Sequence, residues 1–226
     1  MIQDIWPKHL DNQYKNLKPG NEDTVFYFQG SSLLARPSGH FNSQNPEENV
    51  LIYPQYDEFV QGIKSSYGDK AVDNFEFIYL LSIDEEHFFL ARKTGSLERG
   101  TFLGEMADSA VHKDMYSFVR GYEFIGVDSF RKAQPREHAY AAITAFHLYG
   151  WYRDNHFCGR CGKPLKHDDK QRMLRCDCCK NMVFPKICPA VIVAVTDKDR
   201  ILLTKYAGRT YRNYALIAGF TEIGET

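Results

Sequence analysis

No apolar run in this sequence approaches the roughly 20 residues that a membrane-spanning helix needs. Nor is there a strong charge of either sign. Lys and Arg total 28 against 29 Asp and Glu, for a formal charge of −1. A chain so balanced has no global basic field to draw in nucleic acid, so any such binding must be local. The opening segment, MIQDIWPKHLDNQYKNLKPG, lacks the charged stretch and apolar core of a secretory signal, and the expected compartment is the cytoplasm. Internal repeats and low-complexity tracts are absent. Cysteine is missing from residues 1–157 and from everything after Cys188. A disulfide scaffold would scatter its cysteines, so the crowding of all six between 158 and 188 points to a metal.

What is present is apolar and aromatic. Hydrophobic residues make up 43% and aromatics 14%, enough for a packed core and too much for a disordered chain. Residues 1–20 read as a loosely tied terminus. TVFYFQG, SSLLARP and ENVLIYP then read as short strands separated by turn residues. Phe75–Ile83 and His87–Ala91 flank the acidic turn Asp84-Glu85-Glu86 and predict a hairpin. A short helix is expected in 103–118, and YEFIGVDSF reads as extended. Pro135 opens a helical segment, a position where the missing N–H costs nothing. Its packed face should carry Ala139, Ile143, Phe146 and Tyr149, as a link between a β-rich part and the cysteines. His138 and His147 read as helix-surface histidines. After Pro185 come a buried strand (PAVIVAV), a polar turn (Asp197–Arg200), a returning strand (ILLTKY) and a third (YALIAGF).

The cysteines pair as Cys158-x-x-Cys161 and Cys176-x-x-Cys179, a strong zinc spacing. Zn²⁺ takes four tetrahedral ligands with Zn–S near ~2.3 Å. Gly159 and Gly162 let the first turn curl without a Cβ clash. Four thiolates leave no position for water, so the expected ion is structural rather than catalytic. Cys178 offers a rival spacing to Cys176, and His156 and His167 are substitute ligands without regular spacing. Cys188 is expected to pack as a small buried residue.

Read in order, HFCGRCGKPL, LRCDCCK, FPKICPAVIVAV and ALIAGFTEIGET resemble the NADH pyrophosphatase (NAD diphosphatase) subfamily of Nudix hydrolases, over about residues 140–226. The resemblance implies an α+β chain in four parts: a β-rich domain over 1–133, a linking helix over 134–155, a zinc ribbon over 156–186 and the first strands of a Nudix α/β/α domain over 187–226. It also implies structural Zn, with catalytic Mg or Mn in the complete enzyme. Gly219 and Glu225 match the first two fixed positions of the Nudix box. The sequence given stops at Thr226, so the catalytic arginine and glutamates have no counterparts in it, and the chain alone is expected to be inactive. Glu222 and Glu225 read as a solvated acidic loop and are assigned no metal. Phe184 and Phe220 match family positions that clamp the nicotinamide, one from each subunit of a homodimer; the bland alternative places both in a core.

Hydrolysis of the NAD(H) pyrophosphate to nicotinamide mononucleotide and AMP, and removal of NAD caps from RNA, are what the resemblance implies. Two other readings stand beside it. One is a zinc-ribbon module binding nucleic acid or protein through Lys163, Lys166, Lys170, Arg172, Arg175 and Lys180, diluted by Asp168, Asp169 and Asp177. The other is a non-catalytic remnant that folds and dimerises.

Overall fold

A computed structural model describes residues 2–39, 49–94, 118–208 and 212–225. The chain divides into two compact units, Met1–Pro185 and Lys186–Thr226. The architecture is α+β, rich in sheet with few helices. The helix expected in 103–118 lies, except for Phe118, outside the described residues.

The first unit is built on a seven-stranded sheet. Its strands are β1 (Leu10–Asp11), β2 (Thr24–Gln29), β3 (Ser32–Pro37), β4 (Leu51–Ile52), β5 (Phe75–Ile83), β6 (Glu86–Lys93) and β7 (Glu123–Gly126). The order is β1-β5-β6-β2-β3-β4, with β7 also paired to β3. Among the described strand pairs of this sheet, only β2–β6 is parallel. The predicted hairpin is β5–β6, turning at Asp84, whose φ of 51° is one a short polar side chain tolerates.

Strand alternation sends side chains to both faces, and both are covered. Phe26 and Phe28 of β2 and Phe88 and Leu90 of β6 point into one core. Val25, Tyr27, Phe89 and Ala91 point into the other. A register shift between Tyr79 and Leu81 changes the phase of β5. Leu80 and Leu81 therefore both join the first core, while Tyr79 stays in the second.

Helix α1 (Tyr56–Tyr67) covers the second core with Phe59 and Ile63. Gln55 and Glu58 form a reciprocal capping box at its start. Helix α2 (Arg136–Asp154) covers the first core. Its buried face is Ala139, Ala142, Ala145, Leu148, Tyr149 and Tyr152, with Ala141 and Trp151 beside it. Ile143 and Phe146, expected at the centre of that face, are only partly buried, because the small alanines let the backbone approach the sheet. The helix read as a link is thus also a core element. His138 bonds Glu86 at 2.6 Å, and His147 is exposed. The extended reading of YEFIGVDSF holds only to Gly126, after which Val127–Lys132 wind into a 3-10 turn. The N-terminus is not loose: β1 pairs with β5, and Ile2, Ile5, Leu10 and Tyr14 pack against the first core.

Strands β8 (Leu165–His167), β9 (Leu174–Cys176) and β10 (Met182–Val183) form a three-stranded antiparallel ribbon in the same unit. Leu174 lies inside the first core, with Leu165 and Val183 packed against it.

In the second unit, β11 (Ala190–Val193) pairs with β14 (Ile217–Phe220), and β12 (Thr196–Asp197) with β13 (Arg200–Ile201). The Asp197–Arg200 turn is as expected, with Lys198 at positive φ. PAVIVAV was expected to be a buried strand. All of β11 is instead exposed, since among the described residues its two-stranded sheet has no second layer over it. The ILLTKY segment is strand only at Ile201, followed by the isolated Thr204–Ala215 bridge.

Among the described residues, no helix is long and apolar enough to cross a membrane.

Candidate metal centre

The four cysteines sit on two turns of identical construction. In the first, the Cys158 N–H donates to the Lys163 carbonyl (2.8 Å) and the Gly162 N–H to the Cys158 carbonyl (2.8 Å). In the second, the Cys176 N–H donates to the Asn181 carbonyl (2.9 Å) and the Lys180 N–H to the Cys176 carbonyl (3.0 Å). Each turn needs a left-handed residue directly after its second cysteine. Gly162 (φ 69°) fills that place in one and Lys180 (φ 59°) in the other. Lys180 takes a conformation costly for an L-residue, and its Nζ donates to the Asp177 carbonyl at 2.7 Å.

The two turns face one another. Cys158 Sγ lies 3.5 Å from Cys179 Sγ, and Cys161 Sγ lies 3.4 Å from Cys176 Sγ. All four sulfurs fall within 4.8 Å. A disulfide would need about 2.05 Å. A tetrahedron with metal–sulfur bonds of ~2.3 Å sets sulfurs ~3.8 Å apart, and these spacings are near that. The cluster could hold a metal ion such as zinc.

The surroundings favour negative sulfur at two of the four cysteines and oppose it at the other two. Burial pushes the Cys158 thiol up, but the Arg160 and Cys161 N–H groups outweigh it and bring it down to about 6. The Arg160 N–H lies 3.4 Å from Cys158 Sγ and Asn181 Nδ2 lies 3.6 Å from it. The Cys179 N–H, more than any other group, pulls Cys176 down. Backbone N–H groups at Lys163 and Asn181 likewise pull Cys161 and Cys179 down, but burial and the neighbouring sulfurs push both up overall. Four thiols at this spacing cannot all ionise without a cation among them.

Cys178 is exposed and lies outside the four-sulfur group; the half-buried His156 and His167 lie outside it too. Cys188, expected to be buried, is exposed, because its unit provides no core around it. His167 has another partnership that its spacing did not signal. Its Nδ1–H donates to the Asp168 carbonyl at 2.7 Å, which leaves Nε2 to accept from the Tyr152 hydroxyl at 2.7 Å. Burial lowers its pKa and so favours the neutral ring. Two basic residues of the ribbon already have partners. Lys166 pairs with Asp177 at 2.6 Å. Arg172 turns inward to donate to the carbonyls of Asn12 and Leu80.

Phe184 and Phe220 are 51% and 74% exposed, so neither is a core residue. Gly219 lies in β14, opposite Val191. Glu225 is exposed, and its Oε2 accepts from the Glu222 N–H at 2.7 Å.

Comparison with known proteins adds sequence to this geometry. No family model matches the chain. A curated protein of Salmonella typhi named NAD-capped RNA hydrolase NudC is 36% identical over 79 residues, 35% of this chain and 31% of its own length. Proteins of the same name from Salmonella heidelberg and Salmonella paratyphi B match over the same shares. The matched stretch is thus about a third of each relative's length. Over it, the chain is similar to these NudC proteins, in keeping with its resemblance to the NADH pyrophosphatase subfamily of Nudix hydrolases.

Proposed function

We propose that this chain is part of a NAD(H) diphosphatase that cuts the dinucleotide pyrophosphate to nicotinamide mononucleotide and AMP. The 36% identity to NAD-capped RNA hydrolases carries this reading, and it extends the proposed substrate to NAD-capped RNA. The proposed parts are a β-rich domain (1–133), a linking helix (134–155), a ribbon (156–186) and Nudix strands (187–226). Cys158, Cys161, Cys176 and Cys179 hold one structural Zn²⁺, whose closed thiolate sphere fixes the ribbon. Phe184 and Phe220, with their rings in solvent, stack on nicotinamide across a homodimer in the cytoplasm.

Pyrophosphate cleavage needs Mg²⁺ or Mn²⁺ on carboxylates to neutralise phosphate and activate water. Gly219 and Glu225 begin the box that supplies them, but residues 1–226 contain no Arg-Glu-x-x-Glu-Glu run. The expected outcome for the 226-residue chain is one zinc per chain, none after Cys176→Ser, and no NADH hydrolysis with Mg²⁺. Elemental analysis and a nucleotide-release assay check both. Metal-free folded protein would sink the zinc assignment, and turnover would sink the account of the missing glutamates.

A further inference from the structure

The three-stranded ribbon has two faces. Leu165, Leu174 and Val183 point inward, with Leu174 inside the first core. Strand alternation sends the residues next to them outward. The register sets Lys166 opposite Arg175 and Arg175 opposite Met182, so one row crosses all three strands on the outer face. All three residues are exposed. Phe157 bridges Pro164, two residues before Lys166, and so stands on that same face, 51% exposed. The outer face thus presents two cations, an aromatic ring and a thioether to solvent.

Charge at this end of the ribbon is one-sided. Both cysteine turns lie there, since one precedes β8 and the other joins β9 to β10. Five exposed cations, Arg160, Lys163, Lys166, Arg175 and Lys180, stand there against one carboxylate, Asp177. Asp168 and Asp169 sit in the loop joining β8 to β9, at the other end. Four thiolates around one Zn²⁺ add a formal charge of about −2, which leaves the excess positive. The whole chain carries −1, so this patch is not a share of a general basic field. The Arg175 guanidinium has no ion pair or hydrogen bond among the described residues. Lys166 pairs with Asp177 at 2.6 Å, but the two side chains are 73% and 64% exposed. An exposed pair contributes little, so a phosphate can take the place of Asp177.

Cations in a row select phosphates, and an exposed ring beside them selects a flat base that is not already stacked in a duplex. We propose that the outer face of the ribbon binds single-stranded nucleic acid, with phosphates on Lys166 and Arg175 and a base on Phe157. The face uses no residue of the second unit and needs no NAD cap.

Fluorescence anisotropy tests this on the zinc-loaded 226-residue chain without Mg²⁺, using a labelled, uncapped oligoadenylate of about twelve nucleotides. Binding should weaken steeply between about 50 and 200 mM salt. The same strand held in a duplex should bind roughly tenfold more weakly, the scale of one lost stacked base. Arg175→Gln should weaken the single strand severalfold and lower the slope of log affinity against log salt by about 0.7, the value of one phosphate contact. Lys166→Gln repeats that test on the neighbouring strand. Phe157→Ala should weaken binding roughly tenfold at every salt concentration and leave the slope unchanged. Lys64→Gln, which removes an exposed charge from α1, should change neither. Variants are compared at one zinc per chain, so that loss of the ribbon is not mistaken for loss of a contact. The proposal fails if the strand does not bind, if the duplex binds as tightly, or if Arg175→Gln and Phe157→Ala leave the affinity as it was. It also fails if Phe220→Ala, in the second unit, removes binding while those two variants do not. The probe contains no pyrophosphate, so the outcome is independent of whether the chain belongs to a NAD(H) diphosphatase.

Discussion

The two cysteine turns pose the same backbone problem and solve it differently. Gly162 adopts its left-handed conformation without strain, and a Cβ built on it would meet nothing within 4 Å. Replacing it with Ala should therefore cost only the conformational penalty, about 1–2 kcal/mol. Lys180 already bears that penalty, offset by its tether to the Asp177 carbonyl. Lys180→Gly should be neutral or stabilise by up to about 1 kcal/mol, since the strain relieved exceeds glycine's entropy cost of roughly 0.5–1 kcal/mol by little. Denaturant melts of the zinc-loaded variants check both directions. A Lys180→Gly loss of the size expected for Gly162→Ala would mean that the lysine tether, not the backbone angle, holds the second turn.

Among the elements, α1 shows why part of the fold was hard to read from sequence. Its apolar positions, Phe59, Val60 and Ile63, follow helical spacing, but Tyr, Gly and paired Ser residues break the run and obscure it. Gly62 stands mid-helix, where glycine normally costs about 1 kcal/mol relative to Ala. Here a Cβ would lie 2.8 Å from the Phe118 carbonyl oxygen and 3.2 Å from Val119 Cα, both backbone atoms that cannot swing aside. Gly62→Ala should thus destabilise by about 1–3 kcal/mol, the cost of overpacking, despite alanine's better helix propensity. A thermal melt checks the sign, and a stabilised variant would mean that the 118–119 backbone yields. The β5–β6 hairpin and the cysteine turns were legible because each is specified by neighbours in sequence: alternating apolar residues around an acidic turn, and paired Cys-x-x-Cys. The α2 face was only partly legible. Its alanines are buried by close approach to a sheet made of distant strands, which periodicity alone cannot show. The exposure of β11 was not legible either, since its Val and Ile run reads the same whether or not a second layer covers it.

At the scale of the whole chain, the two units differ in how they treat apolar surface. The first buries aromatic residues on both faces of its sheet. The second leaves Ile192, Leu202 and Phe220 more than half exposed. Within the first unit, ribbon, helix α2 and N-terminal segment converge on His167. Its Nε2 accepts from Tyr152 and its ring centre lies 5.0 Å from that of Tyr14. Burial, the largest cause, holds its pKa below the ordinary value of 6.5, against the opposing pull of the Asp168 carbonyl and of Glu76. The unfolded chain therefore takes up this proton more readily than the native one. The contribution is fully present above about pH 6.5 and is lost as pH falls through that value toward the depressed native pKa. Protonating Nε2 also forbids it from accepting the Tyr152 hydrogen bond. Between about pH 7.5 and 5.5 the zinc-loaded chain should lose more stability than a His167→Gln variant, which has no proton to gain in this range. Acid loss of thiolate-bound metal would act on both proteins alike, so the difference between them isolates the histidine. Equal pH profiles in denaturant titrations would show that the ribbon's hold on the sheet does not depend on a neutral His167.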